Sequence, residues 1–194
     1  MNAKSLRSLF NKTGFPLLVQ PGYIAVGVRT KEDNSAMEYY QKVTIDQVKK
    51  TIEIKGVQGG VAANGVYIPA MENRCTYYNV SLDYDIVVSG RFTGCTFAIC
   101  HTPTGIAVAH IFVDSKNKDN NPNDQITALE AITNGTVLNT FSTQGTLDEK
   151  AGEAEGFVFG TRDAGTWNWH WVTKTSGEPG TVITCRQITK KEWA

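Results

Sequence analysis

The sequence predicts an α+β fold, a β-rich sandwich of mixed or antiparallel sheets with flanking helices. About ten short runs of apolar and β-branched residues are separated by turn residues, and only two segments place apolar residues at helical spacing. These strands do not alternate regularly with helices, which argues against a doubly wound parallel sheet. The 194 residues contain no internal repeat and no linker, so we expect a single domain over residues 1–194.

The two predicted helices lie far apart in the chain. Residues 3–12 form a short amphipathic helix that is expected to pack on the edge of the core. The second helix begins at Asn121, a favourable N-cap, followed by Pro122 at the first helical position. Its apolar residues recur at helical spacing until Gly135 ends the segment.

Strands are predicted for most of the remaining chain, with turns at glycine, proline, asparagine and aspartate. The predicted strands cover residues 15–20, 23–29, 43–57 (as a pair), 66–70, 77–80, 84–88, 89–114 (as a hairpin), 136–143, 157–161, 166–175 and 181–189. Polar or glycine-rich loops are predicted at residues 31–35, 56–65, 115–119 and 144–156, and residues 190–194 are expected to trail away. The turns that join these strands are short.

The charge balance excludes several classes of partner. Nineteen Lys and Arg residues offset nineteen Asp and Glu residues, so no long-range field attracts nucleic acid or an anionic membrane. No run approaches about eighteen apolar residues, and the first residues lack the apolar core of a Sec signal peptide. We therefore expect a soluble protein whose export, if any, uses another route.

Metal and phosphate sites are not predicted. The four cysteines form no CxxC pair, the three histidines lack ligand spacing, and the glycine-rich stretch 56–65 contains no phosphate-binding motif. The cysteines are also too few and too scattered for a disulfide framework, so they are expected to be thiols.

The candidate site is a cysteine and a histidine in the hairpin of residues 89–114. Cys95 follows Gly94 at the mouth of this hairpin, and His110 lies fifteen residues later on the return strand. A thiol attacks a carbonyl carbon as the thiolate, and a neighbouring histidine can take its proton and later give one to the leaving amine. The pair predicts nucleophilic catalysis on an amide, with Cys95 as nucleophile and His110 as base.

The register of the hairpin decides whether these side chains can meet. If the first and last residues of the turn 102–105 pair in a type I turn, Cys95 and His110 are diagonal neighbours on one face. If Gly105 instead forms a bulge, the parity is reversed and the two residues lie on opposite faces. A compensating bulge near Gly94 would restore the shared face, and the sequence leaves these alternatives open.

Two further roles are expected in the same reaction. A glycine before the nucleophile lets the backbone bend so that the next amide points at the developing oxyanion. We expect the Cys95 amide, with a contribution from Gly94, to hold this oxyanion. Losing one such donor typically costs about 2.7–4 kcal/mol of transition-state stabilisation. The hydroxyl of Ser89 is expected to orient either His110 or the substrate amide.

The segment 89–96, Ser-Gly-Arg-Phe-Thr-Gly-Cys-Thr, followed by His110, resembles the active-site segment of the toxin-type glutamine deamidases. These include the catalytic domains of the cytotoxic necrotizing factors, the Burkholderia lethal factor and the chemoreceptor glutamine deamidases. The necrotizing factors are most similar in the Gly-Cys-Thr run and in the cysteine-to-histidine interval. The other two have a catalytic threonine six residues before the cysteine, where this chain has Ser89.

The resemblance, which covers residues 89–114, implies a catalytic domain that converts a glutamine of a target protein to glutamate through a thioester. It also implies a bacterial effector that is secreted without a Sec signal peptide and acts in the host cytosol, and we expect a monomer without cofactor or metal. The same cysteine and histidine would also serve a transglutaminase, in which an amine replaces water, or a cysteine protease.

Other candidate residues are weaker. His101 adjoins Cys100, so in a strand their side chains point to opposite faces. His170 could act as a base if its strand lies beside the hairpin. Glu153 and Glu155 are placed in a loop without an opposing carboxylate, so glycoside hydrolysis has little support.

One strand carries a tryptophan stripe. Trp167, Trp169 and Trp171 alternate with polar residues, so their rings share a face. Such a stripe more often packs on an inner face than it binds a ligand. If it were exposed, it would favour a noncatalytic β-sandwich module that binds carbohydrate or protein.

Overall fold

The computed structural model describes residues 1–10, 12–21, 36–57, 61–112 and 121–194. The predicted strand 23–29 and the predicted loops 31–35 and 115–119 lie outside the described residues. Strands make up 53% of the described residues and helices 13%. The predicted α+β class is therefore wrong, because the protein is mostly β and its two helices are not a main layer.

The helices are α1 (Ala3–Leu9) and α2 (Pro122–Thr133). The strands are β1 (Pro16–Gln20), β2 (Ala36–Glu38), β3 (Gln41–Val48), β4 (Thr51–Gly56), β5 (Gly65–Pro69), β6 (Cys75–Asn79), β7 (Ile86–Phe92), β8 (Thr96–Thr102), β9 (Gly105–Ile111), β10 (Thr136–Ser142), β11 (Glu155–Asp163), β12 (Thr166–Lys174) and β13 (Gly180–Gln187). Most predicted strands are confirmed within a few residues.

Eight strands close into a barrel in the order β1-β13-β12-β11-β7-β5-β3-β4. The closure depends on a parallel pairing of β1 with β4, in which Leu17 lies opposite Ile52. Alternate residues of these strands fill the interior, and Leu6 of α1 and its C-cap Phe10 join the same apolar cluster. A barrel thus replaces one of the two open sheets of the predicted sandwich.

The other five strands form a second sheet in the order β10-β8-β9-β6-β2. One face of this sheet packs on the barrel wall, where Phe97 and Val108 of the sheet meet Phe92 and Trp171 of the barrel. The opposite face is covered by α2, whose Leu129 packs on small residues such as Ala109. The space between barrel and sheet is called the intersheet layer below.

Local signals placed the helices correctly. The side chain of Asn121 accepts a hydrogen bond from the Asn123 amide, and Pro122 begins α2 as predicted. The C-cap Asn134 adopts a left-handed conformation, and Gly135 follows it. The first helix is also present, although it ends at Leu9.

Two segments that were predicted to lie loosely on the surface, residues 144–156 and 190–194, instead make specific contacts with the rest of the protein. In the predicted loop 144–156, Glu153 is buried and accepts hydrogen bonds from the hydroxyls of Thr173 and Thr184. The C-terminal residues do not trail away, because the Ala194 backbone pairs with Thr140 and Trp193 packs on the intersheet layer. Both departures depend on residues distant in sequence.

Candidate active site

Cys95 lies where the chain crosses from the barrel to the second sheet. The barrel strand β7 ends at Phe92, and the sheet strand β8 begins at Thr96. Gly94 has a φ of +140°, a conformation that favours glycine. An added Cβ there would meet no atom within 4 Å, so the glycine is required by its backbone conformation and not by crowding. The short crossover therefore carries Cys95 at its end.

The hairpin adopts the register that places Cys95 and His110 on one face. Thr102 pairs with Gly105 across a two-residue loop, and Phe97 lies opposite His110. The alternative with a bulge at Gly105 is therefore wrong. Cys95, two residues before Phe97, belongs with it to the apolar cluster of the intersheet layer.

Ser89 and His110 meet inside the protein, whereas Cys95 lies in the same buried layer but its thiol forms no hydrogen bond with His110 Nε2. Ser89 and His110 are fully buried, and Cys95 is 5% exposed. Ser89 belongs to the barrel strand β7 and His110 to the sheet strand β9, yet the Ser89 Oγ and His110 Nδ1 atoms are 3.2 Å apart. This hydrogen bond crosses the intersheet layer and joins the two halves of the fold.

The contacts of Ser89 determine the tautomer of His110. The Ser89 hydroxyl donates to the carbonyl oxygen of Ile68 at 3.1 Å, so its oxygen is left to accept a hydrogen bond from His110 Nδ1–H. The imidazole then has its lone pair on Nε2. That atom is buried and has no hydrogen-bond partner among the described residues. An unprotonated Nε2 is the form that a general base requires.

The surroundings of His110 keep the imidazole neutral. Burial lowers its pKa from 6.5 to about 3. The ring of Phe92 stacks on it, with the centroids 4.0 Å apart and the planes inclined by 5°. Stacking on Phe92 thus fixes the plane of the imidazole, and the hydrogen bond to Ser89 fixes the orientation of the ring within that plane.

Acid is expected to destabilise the protein through His110. The imidazole of an unfolded chain has a pKa of about 6.5, whereas burial lowers the pKa of the folded group to about 3. Below pH 6.5 the unfolded chain binds a proton that the folded chain does not, so stability falls as the pH falls toward 3. At pH 5 this group should cost about 2 kcal/mol relative to neutral pH.

Urea unfolding of the wild type and of His110→Gln at neutral pH and at pH 5 measures this effect. The difference in unfolding free energy between the two proteins should shrink in acid by the stated amount. Burial also lowers the pKa of His170, but that group is common to both proteins and cancels in the difference. An unchanged difference would contradict a buried, neutral His110.

Thr143 also belongs to the site, although no sequence pattern predicted it. It follows the last residue of β10 and is buried. Its backbone amide and its hydroxyl both donate to the carbonyl oxygen of Cys95, at 3.0 and 2.6 Å. A threonine at the end of a predicted strand was its only sequence signal, and that signal is too common to be specific.

The rival sites do not assemble. His101 is exposed at the far end of β8. His170 lies on the other side of the barrel wall against Phe10, away from the layer that contains Cys95. Glu153 accepts hydrogen bonds from threonine hydroxyls, and Glu155, the first residue of β11, forms ion pairs with Arg91 and Lys174.

The tryptophan stripe is part of the intersheet layer. Trp169 and Trp171 are buried, and Trp167 packs against the same cluster. The prediction of a packed inner face is confirmed, and these rings offer little exposed surface to a carbohydrate or a protein.

The sequence matches no protein-family model and no curated protein at a significant level. Within the described part of the chain, no three His, Cys, Asp or Glu residues are grouped so that they could hold a metal ion. In that same part, no helix is both long enough and apolar enough to cross a bilayer. The chemistry of the site therefore rests on the geometry of Ser89, Cys95 and His110.

Proposed function

We propose that this chain is a cysteine-dependent protein-glutamine deamidase. The observation that carries the proposal is the hydrogen bond from His110 to Ser89 across the intersheet layer. It leaves the lone pair of Nε2 in the layer that also contains Cys95. A thiol nucleophile and a neutral imidazole base on one face are the two groups that amide hydrolysis through a thioester requires.

The reaction would proceed in two halves. Cys95 Sγ attacks the carboxamide carbon as Nε2 takes the thiol proton, and the imidazolium gives that proton to the departing ammonia. Water then attacks the thioester as Nε2 takes its proton. Cleavage of the carbon–sulfur bond releases glutamate, and the imidazolium returns its proton to the sulfur, which restores the thiol and the neutral imidazole. The amides of Gly94 and Cys95 are proposed to hold the oxyanion in both halves.

The enclosure of the thiol favours a side-chain amide as substrate. Cys95 is only 5% exposed, and His110 is fully buried. A glutamine side chain is thin enough to approach an enclosed thiol end-on, whereas a peptide bond needs a groove that accepts chain on both sides. Hydrolysis of a side-chain amide is therefore better supported than proteolysis, and it adds one negative charge to the target.

The resemblance of segment 89–96 to the toxin-type deamidases supports the same proposal and extends it to the setting. The chain would be a bacterial effector that acts on a protein of the host cytosol. Its target would carry a reactive glutamine in a segment that can present the side chain to the crossover at Gly94.

Incubation of a host-cell lysate with the wild type and with Cys95→Ser tests the proposal. Peptide mass spectrometry should find a glutamine converted to glutamate only with the wild type, together with release of ammonia. Cleaved chains would indicate a protease, and a glutamine joined to an added amine would indicate a transglutaminase. The absence of any Cys95-dependent change, over a range of lysates, would overturn the proposal.

A further inference from the structure

We propose that Thr143 is a positioning residue that aligns the Cys95 thiol with His110. This inference rests on the proposed role of Cys95 as nucleophile. The hydrogen bonds of Thr143 hold the backbone of Cys95, because both of them end on the Cys95 carbonyl oxygen. Thr143 therefore affects the rate of the chemical step through Cys95, without touching the substrate.

Cys95 lies just beyond the regular pairing of its strand. The ladder between β8 and β9 begins at Thr96 opposite Ile111, and the ladder between β10 and β8 ends at Ser142 opposite Thr96. The preceding Gly94 has a wide choice of backbone conformations and so restrains Cys95 little. The backbone of Cys95 must therefore be held in position by contacts outside these two ladders.

Thr143 supplies such contacts. Its amide and hydroxyl donate to the Cys95 carbonyl at 3.0 and 2.6 Å, so both lone pairs of that oxygen have a donor. Thr143 is itself held in place, because its carbonyl accepts hydrogen bonds from the amide and hydroxyl of Thr146 at 3.2 and 2.8 Å. The bonds between Thr143 and Cys95 thus extend the pairing of β10 with β8 by one residue beyond Ser142 and Thr96.

Alignment of this kind affects the chemical step more than binding. Displacing a reacting atom by about 1 Å can cost about 10²-fold in rate. Removal of the hydroxyl keeps the fold of both sheets but lets the Cys95 backbone move relative to His110. The expected result is a lower kcat with little change in KM.

The Thr143→Val variant tests this, because valine keeps the shape of threonine and lacks the donor. We expect kcat to fall by about 10- to 10²-fold, while Thr143→Ser, which keeps the hydroxyl, stays within a few-fold of the wild type. Thr133→Val is the matched control. The Thr133 hydroxyl donates to the Leu129 carbonyl at 2.7 Å in α2, across the sheet from the site, so its loss should leave kcat unchanged.

Two results would overturn the inference: a wild-type kcat in a folded Thr143→Val, or a Thr143→Ser variant as slow as Thr143→Val. If Thr143→Val does not fold, the pair Thr143→Ser and Thr143→Ala, which differ in one oxygen atom, gives the same comparison. A purely structural role would instead lower the thermal midpoint of Thr143→Val and leave its kcat unchanged.

The rate at which iodoacetamide alkylates Cys95, followed by peptide mass spectrometry, needs no substrate. Thr143→Val should slow this reaction, and combining it with His110→Ala should slow it no further than His110→Ala alone. Additive effects would overturn the inference. Deamidation that does not depend on Cys95 would overturn the proposed function, while the alkylation measurement would still decide the role of Thr143.

Discussion

Cys95→Ser is expected to lower kcat/KM for the proposed deamidation by at least about 10³-fold, because a serine hydroxyl is a far weaker nucleophile than a thiol. His110→Ala should lower kcat/KM by a similar factor, because it removes the base that is proposed to take the thiol proton. The double variant should be no slower than either single one, because the two residues act as a unit.

Ser89→Ala is expected to produce a smaller loss in the same assay. The imidazole remains, but Nδ1 loses the partner that keeps its proton and leaves Nε2 as base. Measurement of kcat/KM across pH should show the loss at every pH at which the protein is folded. A Ser89→Thr variant keeps the hydroxyl and should retain most of the activity.

Cys100→Ser is the matched control for the nucleophile. Cys100 is buried on the opposite face of the same strand, under α2, so its replacement should leave kcat/KM unchanged. Burial raises the pKa of Cys100 and Cys75, and it raises the pKa of Cys185 to about 12, so these thiols should react slowly with alkylating agents. Equal, slow reactivity of Cys95, unaffected by His110→Ala, would falsify the catalytic assignment.

Trp171→Ala is expected to lower the free energy of unfolding by about 3–5 kcal/mol. The ring is buried in the intersheet layer, with its centroid 6.2 Å from that of Phe92 and 5.4 Å from that of Phe141. It also covers Gly156, where an added Cβ would lie 1.8 Å from the ring. Because two rigid sheets form the walls, the cavity left by alanine cannot collapse.

Trp167→Ala provides the comparison on the same strand. This ring is half-buried, stacks on Trp169, and has the Arg162 guanidinium 5.5 Å from its centroid. Its removal should cost on the order of 1 kcal/mol in the same urea unfolding experiment. Equal losses for the two variants, or carbohydrate binding that depends on Trp167, would contradict the interior packing role of the stripe.

Features that depend on neighbours in sequence could be predicted. The cap at Asn121 and the proline after it determine the start of α2, and the turn at residues 102–105 indicated the hairpin that carries His110. The candidate residues Ser89, Cys95 and His110 were also found this way, because a glycine before a cysteine and a histidine on the return strand are local patterns. What they do chemically stays a proposal.

The fold class could not be read from the same signals. Closure of the barrel requires β1 to pair in parallel with β4, and a strand pattern does not specify its partner. Apolar runs were compatible with an open sandwich as well as with a barrel. The expectation of flanking helices was wrong because two short helices cover local apolar patches and do not form a layer of the domain.

Local sequence patterns were enough to predict both helices and most of the strands, though not β2 (Ala36–Glu38), and to identify Cys95 after Gly94 and His110 on the return strand of the hairpin. Three features could be seen only in the folded protein. They are the register that places His110 on the same face as Cys95, the hydrogen bond to Ser89 that sets the tautomer of His110, and the hydrogen bonds from Thr143 to the Cys95 carbonyl. Each of these joins strands that are distant in the chain. Such contacts form when the sheets pack and bury their shared layer, and this packing is a property of the whole chain that no local pattern encodes.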